Sequence, residues 1–316
     1  MRVRGEEMPR LSMTAGWLFA LLCCLAAGLP SLVYPAEIAV LKSADIAAYN
    51  QAVTGLKADL PGSTTVTEYD MQGDVTRGRK LARKIRASSA GTVIAVGLKA
   101  ALVAKLEIVD VPVIYCMVLD PGKYDLASSN MTGISLTIPV ERQFDVMHDI
   151  LPAAKQIGVL YDPEKTGQAV EDARRIAKAL GLRLVERQVT SEKNLPEAVR
   201  DLLPQTDALW LLPDSTILTE ESLGFVLAAA LDRNVPVIGF SSEFVRNGAL
   251  IGLSVSAYDI GRQAAAMAKQ IMKGLAATSS LAVPPTRVRL AINLKIAKFL
   301  GITVPQDVIN RADEVY

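Results

Sequence analysis

Along this chain, short apolar runs rich in Val and Ile alternate with longer segments whose apolar residues recur every three or four positions. The runs are IAVL (38–41), TVIAV (92–96), VPVIYCM (111–117), IGVLY (157–161), ALWLL (208–212) and VPVIGF (235–240). Unbroken apolar runs of this length predict strands buried on both faces, and the segments between them predict the helices that cover those faces. GDVTRGRKLARKIRAS, VERQFDVMHDIL, QAVEDARRIAKAL and ESLGFVLAAALDRN are such helices. Further on, GALIGLSV (248–255) predicts a strand, and AYDIGRQAAAMAKQIMKG (257–274) a helix with Ile260, Ala264, Met267 and Ile271 on one face. TRVRLAIN (286–293) then reads as a strand and LKIAKFLGI (294–302) as a short closing helix.

The strands repeat in order. IAVL recurs as IGVL 119 residues on, TVIAV is matched by ALWLL 116 residues on, and VPVI at 111 returns letter for letter 124 residues later. Three matches in register predict two βα lobes of one design, each a parallel sheet flanked by helices; one long doubly wound sheet is the alternative. In such sheets ligands bind beyond the carboxyl ends of the strands. The loops there hold Ser43 and Asp45, then Gly97, Leu98 and Lys99, then Asp120, in the first lobe. The second lobe contributes Tyr161 at a strand end, Asp214, Ser215 and Thr216 in the PDST turn, and Ser241 and Ser242.

Amides at helix starts suit a carboxylate, and Asp45, Asp120 or Asp214 suit an ammonium, so the set as a whole suits a zwitterion. Ser43, Ser215 and Thr216 have an equally simple reading as helix caps. For Asp214 capping is the weaker reading, because Thr219 stands closer to the next helix start. Replacing Asp214 by Ala is expected to weaken binding more than tenfold, about 1.4 kcal/mol, with stability little changed. Lys99 has two readings, as a partner for an anion and as a solvated surface group. Tyr115, Tyr161 and Phe240 stand at or beside strand ends, but aromatics are only 5% of the chain, which disfavours a pocket that stacks sugar rings.

Composition narrows the choice. The first 36 residues place Arg2, Arg4 and Arg10 ahead of an uncharged apolar stretch, Ala15 to Leu29. That is the layout of a cleaved secretory signal, shorter than the roughly 20 residues a membrane span needs. An uncleaved anchor, or lipidation at Cys23 or Cys24, is the alternative. Removing this segment leaves 31 basic and 31 acidic side chains and no net charge, which excludes a basic nucleic-acid surface. It also leaves Cys116 as the sole cysteine, so the fold rests on its core without an internal disulfide. His148 is the only histidine, and no G-x-S-x-G elbow, P-loop or G-x-G-x-x-G fingerprint is present. These absences argue against an enzyme and against a cofactor.

LPAAKQIGVLYDPEKT, DALWLLPDST, VPVIGFSSEFVRNGAL, AYDIGRQAAAMAKQIMKG and the closing VRLAINLKIAKFLGITVPQDVINRADEVY together resemble the tryptophan-binding-like group of ABC transporter substrate-binding proteins. The resemblance implies the type I periplasmic binding protein fold, α/β, with two Rossmann-like lobes joined by three crossovers near Gly133 to Pro139, Asn247 to Ser254 and Pro285 to Asn293. With it come lobe 1 at 37–135 plus 253–284 and lobe 2 at 136–252 plus 285–316, after a signal peptide at 1–36. It further implies an exported, periplasmic monomer that closes on a small solute, an amino acid or related carboxylate, and delivers it to a membrane permease driven by a separate ATPase. A sensory binding module without transport is the alternative. The family's usual Gly-Thr is Gly97-Leu98-Lys99 here, and its usual Pro-Thr-Asp-Asn is Pro213-Asp214-Ser215-Thr216, so both departures fall in the expected cleft.

Overall fold

The computed structural model describes residues 37–275 and 282–316, so the expected signal segment at 1–36 lies outside the described residues. Two sheets carry the fold. The first contains β1 (Glu37–Lys42), β2 (Thr65–Asp70), β3 (Thr92–Val96), β4 (Val113–Val118) and β5 (Met131–Ser135). The second contains β6 (Gln156–Tyr161), β7 (Arg183–Gln188), β8 (Ala208–Trp210), β9 (Val237–Gly239) and β10 (Ile251–Ser254). Late in the chain β11 (Ala282–Val283) returns to the first sheet, while β12 (Arg289–Ile292) and β13 (Glu314–Val315) join the second. The orders are β11-β5-β4-β3-β1-β2 and β13-β12-β10-β9-β8-β6-β7. Every pairing is parallel except β10 with β12.

The strands whose side chains are buried on both faces, β1, β3, β4, β6, β8 and β9, are those the apolar runs predict. The edge strands TVTEYD and RLVERQ are half-buried and polar at alternate positions, a pattern that sequence alone shares with loops. Cys116 is buried, and burial pushes its thiol up to about 12, which fits a small core side chain and not a nucleophile.

Each lobe is finished by a piece of chain from beyond the other. The helix Ala257–Met272 leaves the second lobe and packs along the helix Ala47–Asp59 of the first. Of the four residues that the sequence places on one face, the structure buries Ile260 and Ala264 and leaves Met267 and Ile271 half-buried, while Gly261, Ala265 and Ala268 join the buried set. Small residues win because the two backbones nearly touch. A Cβ added at Gly261 would lie 1.8 Å from the Ala52 carbonyl oxygen, and one at Gly55 would lie 2.0 Å from that of Tyr258.

The crossovers are short. Residues 136–139 join β5 to the helix Val140–Ile150, Val255 and Ser256 join β10 to the returning helix, and 284–288 join β11 to β12. The second passage therefore falls after Ser254, not at the expected 252/253 boundary, because Leu253 and Ser254 pair with Leu290 and Arg289 of β12. The same pairing ends the third crossover at Val288, where the reading carried it to Asn293. Gln143 fixes the first crossover to the second lobe, donating from its amide to the Ile138 carbonyl (2.8 Å) and accepting from the Trp210 indole N–H (2.9 Å).

The close helix contact makes a prediction of unusual sign. Gly→Ala inside a helix ordinarily stabilises by about 1 kcal/mol, but here the added methyl meets backbone that has nowhere to move, and overpacking costs up to about 3 kcal/mol. Gly261→Ala is expected to lower stability by about 2 kcal/mol in urea denaturation; equal or greater stability contradicts the contact.

Candidate functional site

All three crossovers depart from the carboxyl edges of β5, β10 and β11, so the carboxyl edges of the two sheets are the ones brought together. Lys123, in the turn after β4, donates to the Lys165 carbonyl in the first turn after β6 at 3.2 Å, so the rims meet at one point. The loops beyond these strand ends form two lips, one on each lobe, that approach each other at this contact.

On the first lip the chain gathers Ser43, Gly97, Leu98 and Lys99. Gly97 precedes the helix Leu98–Glu107 with φ +91°, and a Cβ there would lie 2.6 Å from the Tyr49 phenol oxygen and 2.7 Å from the Ser43 hydroxyl. Having no side chain, Gly97 cannot cap the helix itself. The buried Ser43 hydroxyl does so from another strand end, accepting from the Ala100 amide at 2.9 Å. The amides of Leu98 and Lys99 have no acceptor among the described residues. They leave a partial positive charge at the edge, fitted to a carboxylate.

Lys99 is exposed, and its ammonium donates to the Gly73 carbonyl at 2.9 Å. Asp45 is exposed, and its carboxyl is held below the usual range by the Asn50 amide (2.7 Å) and by Lys42 (3.6 Å). Asp120 is half-buried ahead of the turn Pro121–Tyr124 and pairs with Lys123 at 3.4 Å.

The second lip is organised differently. Asp214 is 1% exposed, and its carboxylate accepts from the Asp162 amide (2.8 Å), the Thr166 hydroxyl (2.5 Å) and the Thr216 amide (2.9 Å). Thr216 donates its hydroxyl to Asp162 (2.6 Å), and Asp162 caps the helix Pro163–Ala179 by accepting from the Glu164 amide (3.0 Å). These bonds lock the loop after β6 to the loop after β8. Hydrogen bonds from Thr216 and the Glu164 amide hold the Asp162 carboxyl below the usual range. A group whose folded value is depressed stabilises the fold above its unfolded value, so this contribution is present at neutral pH and is lost as pH falls below about 4.

Some predicted residues lie elsewhere. Tyr161 is buried in the core that includes Val170 and Ala173, donating to Glu186 at 3.3 Å and accepting from Gln188 at 3.2 Å, so its phenol is engaged by the edge strand β7. Ser215 is exposed and makes no cap, while Thr219 caps the helix Glu220–Asp232 in a reciprocal pair with Ser222, as its place in the sequence suggested. Ser241 caps the helix Ser242–Arg246 by accepting from the Phe244 amide (3.4 Å), and Ser242 stands beside the Tyr316 phenol. The sequence reading missed Tyr49 and Asp162. Asp-Pro at 162–163 is a helix-start signal that identifies the second; nothing in the sequence points Tyr49 at Gly97.

The Asp214 geometry revises the expectation that its removal spares stability. Asp214→Ala leaves the Asp162 amide and the Thr166 hydroxyl without an acceptor, at about 1–3 kcal/mol for each buried group left unpaired. A loss of about 3 kcal/mol in urea denaturation is expected, and unchanged stability would show that the loop does not depend on this carboxylate.

Residues 37–316 match the family described as ABC transporter substrate binding protein. A tyrosine-binding protein of Clostridioides difficile (strain R20291) is 23% identical over 211 residues, 64% of this chain and 61% of that protein. An uncharacterised protein of Rickettsia prowazekii (strain Madrid E) is 29% identical over 127 residues, 40% of this chain and 41% of that one. The alignments thus span between two fifths and three fifths of those relatives. A ligand-free, open substrate-binding protein with adhesive properties from Clostridium difficile has the same fold, with TM-score 0.74 and 20% identity over 89% of this chain and 99% of that one. So does an L-Trp-bound ABC domain from Streptococcus pneumonia, with TM-score 0.57 and 24% identity over 90% and 100% of the two chains. Among the described residues no helix is long and apolar enough to cross a membrane.

Proposed function

The chain belongs to the ABC transporter substrate-binding protein family, whose members bind solutes and are not enzymes, and from that premise we propose that it captures an amino acid or closely related small carboxylate. In this reading it is exported by its N-terminal segment, works outside the cytoplasmic membrane as a monomer, and delivers its ligand to a permease driven by an ATPase.

The observation that carries the amino-acid reading is the first lip, where two amides without acceptors stand beside a glycine with no room for a side chain. A ligand carboxylate accepts from the Leu98 and Lys99 amides and draws the second lip across. Only contacts made to both lobes together favour the closed form, since a ligand shifts the equilibrium by its differential affinity alone. The Asp162–Asp214 network serves that step by keeping the second lip rigid as it approaches. The tyrosine-binding relative supports the same ligand class.

A thermal shift screen with amino acids, short carboxylates and nucleosides tests the proposal. At a hundredfold excess over Kd a ligand adds about 2.7 kcal/mol of stability, a rise of about 5 °C or more in Tm for a chain of this size. An α-amino acid is expected to produce that rise; no response from any amino acid or carboxylate would overturn the reading.

A further inference from the structure

Gly97 is held in place by the strands around it. Its amide donates to the Cys116 carbonyl at 2.9 Å, and the Ser43 amide donates to the Val96 carbonyl at 2.9 Å, so residues at the carboxyl ends of β1, β3 and β4 are bonded to one another. To this fixed point comes a side chain that no strand end supplies. Tyr49 lies in the first turn of the helix Ala47–Asp59, and its ring packs on the core cluster that includes Val40, Val96 and Cys116. A Cβ on Gly97 would lie 2.6 Å from both the Cζ and the phenol oxygen of Tyr49, and 2.7 Å from the Ser43 hydroxyl. Two hydroxyls therefore converge on one backbone position, the residue just ahead of the Leu98 and Lys99 amides.

Each of these hydroxyls has a proton to give. The Tyr49 phenol makes no hydrogen bond among the described residues, and burial, reinforced by Cys116, raises its pKa so that the proton stays on. Ser43 is 4% exposed; its oxygen accepts from the Ala100 amide, and its own proton has no acceptor among the described residues. A buried hydroxyl proton left without an acceptor is uncommon in a folded protein. An anion beside Gly97 accepts from both hydroxyls at once. Together with the Leu98 and Lys99 amides they supply two hydroxyl and two amide donors, matching the roughly four lone-pair sites of a carboxylate.

We propose that the Tyr49 hydroxyl binds the ligand's carboxylate, completing with Ser43 and the Leu98 and Lys99 amides a cradle around Gly97. This rests on the amino-acid reading above and adds to it the residue that tells an acid from its neutral analogue. Gly97 has a part in it as well, because a side chain there would occupy the place on which the two hydroxyls converge. A carboxamide offers one accepting oxygen and turns an NH2 donor toward the remaining donors, whereas each hydrogen bond to a carboxylate is charge-assisted.

The test is calorimetric titration of the protein, produced with its own N-terminal segment, with L-tyrosine, L-leucine and L-glutamate, each beside its α-carboxamide. Wild type and Tyr49→Phe are compared, and both are followed in thermal unfolding. Phenylalanine keeps the ring on the core and removes a hydroxyl without a partner in the unliganded fold, so the variant is expected to melt at the wild-type temperature. Its affinity for each amino acid that binds falls about tenfold or more, as the loss of a hydrogen bond to a charged group predicts, while its affinity for the matching carboxamide stays within about threefold. Ser43→Ala cannot stand in for it, because that change also strips the Ala100 amide of its acceptor. The assignment is overturned by a Tyr49→Phe protein that binds the acids as tightly as the wild type, by one that loses acid and amide in parallel or melts lower, or by a wild type that binds acid and amide alike. A wild type that binds none of the three amino acids removes the amino-acid reading itself, and this assignment falls with it.

Discussion

The architecture depends on a contact between two backbones. Gly55 and Gly261 let the helix Ala257–Met272 lie so close to Ala47–Asp59 that no Cβ fits between them at either position. Because that helix reaches the first lobe only after the second has been built, the first lobe is incomplete until the chain returns. The return creates the second and third crossovers, and with the first they anchor both sheets by their carboxyl edges. A charge cluster holds the junction in place: Asp259, buried in the first turn of the returning helix, is 3.2 Å from Arg289 and 3.7 Å from Arg287, which also pairs with Asp313 at 3.0 Å. The Gln263 side chain of the same helix donates to the Pro284 carbonyl and accepts from the Thr286 amide, so the main chain of the third crossover is tied to the first lobe as well.

From that constraint follows a division of labour between the lips. The first keeps its donors open, because Gly97 cannot cap its own helix and Ser43 satisfies only the Ala100 amide. The second closes its polar groups on one another through Asp162, Thr166, Asp214 and Thr216. An open donor set opposite a rigid, self-satisfied surface suits a receptor that takes an anionic group on one lobe and recruits the other by closing.

Much of this was legible in the sequence for identifiable reasons. Strands buried on both faces read as unbroken apolar runs, and the repeat of VPVI marked the second lobe as a copy of the first in plan. The edge strands TVTEYD and RLVERQ were hidden by their polar positions. Around the nominated loops the sequence hid the partners of several side chains. Asp214 looked available because its partners, the Asp162 amide and the Thr166 hydroxyl, come from 52 and 48 residues away. Tyr161 looked available to a ligand at a strand end because nothing local shows that it shares a core with Val170 and Ala173 of the next helix.

Small-angle X-ray scattering of the protein with and without a small solute that raises its melting temperature tests the central claim most directly. Closure of two lobes about the three crossovers predicts a smaller radius of gyration at saturating ligand, with secondary structure unchanged. An identical scattering profile in both states, under conditions where binding is complete, would contradict it.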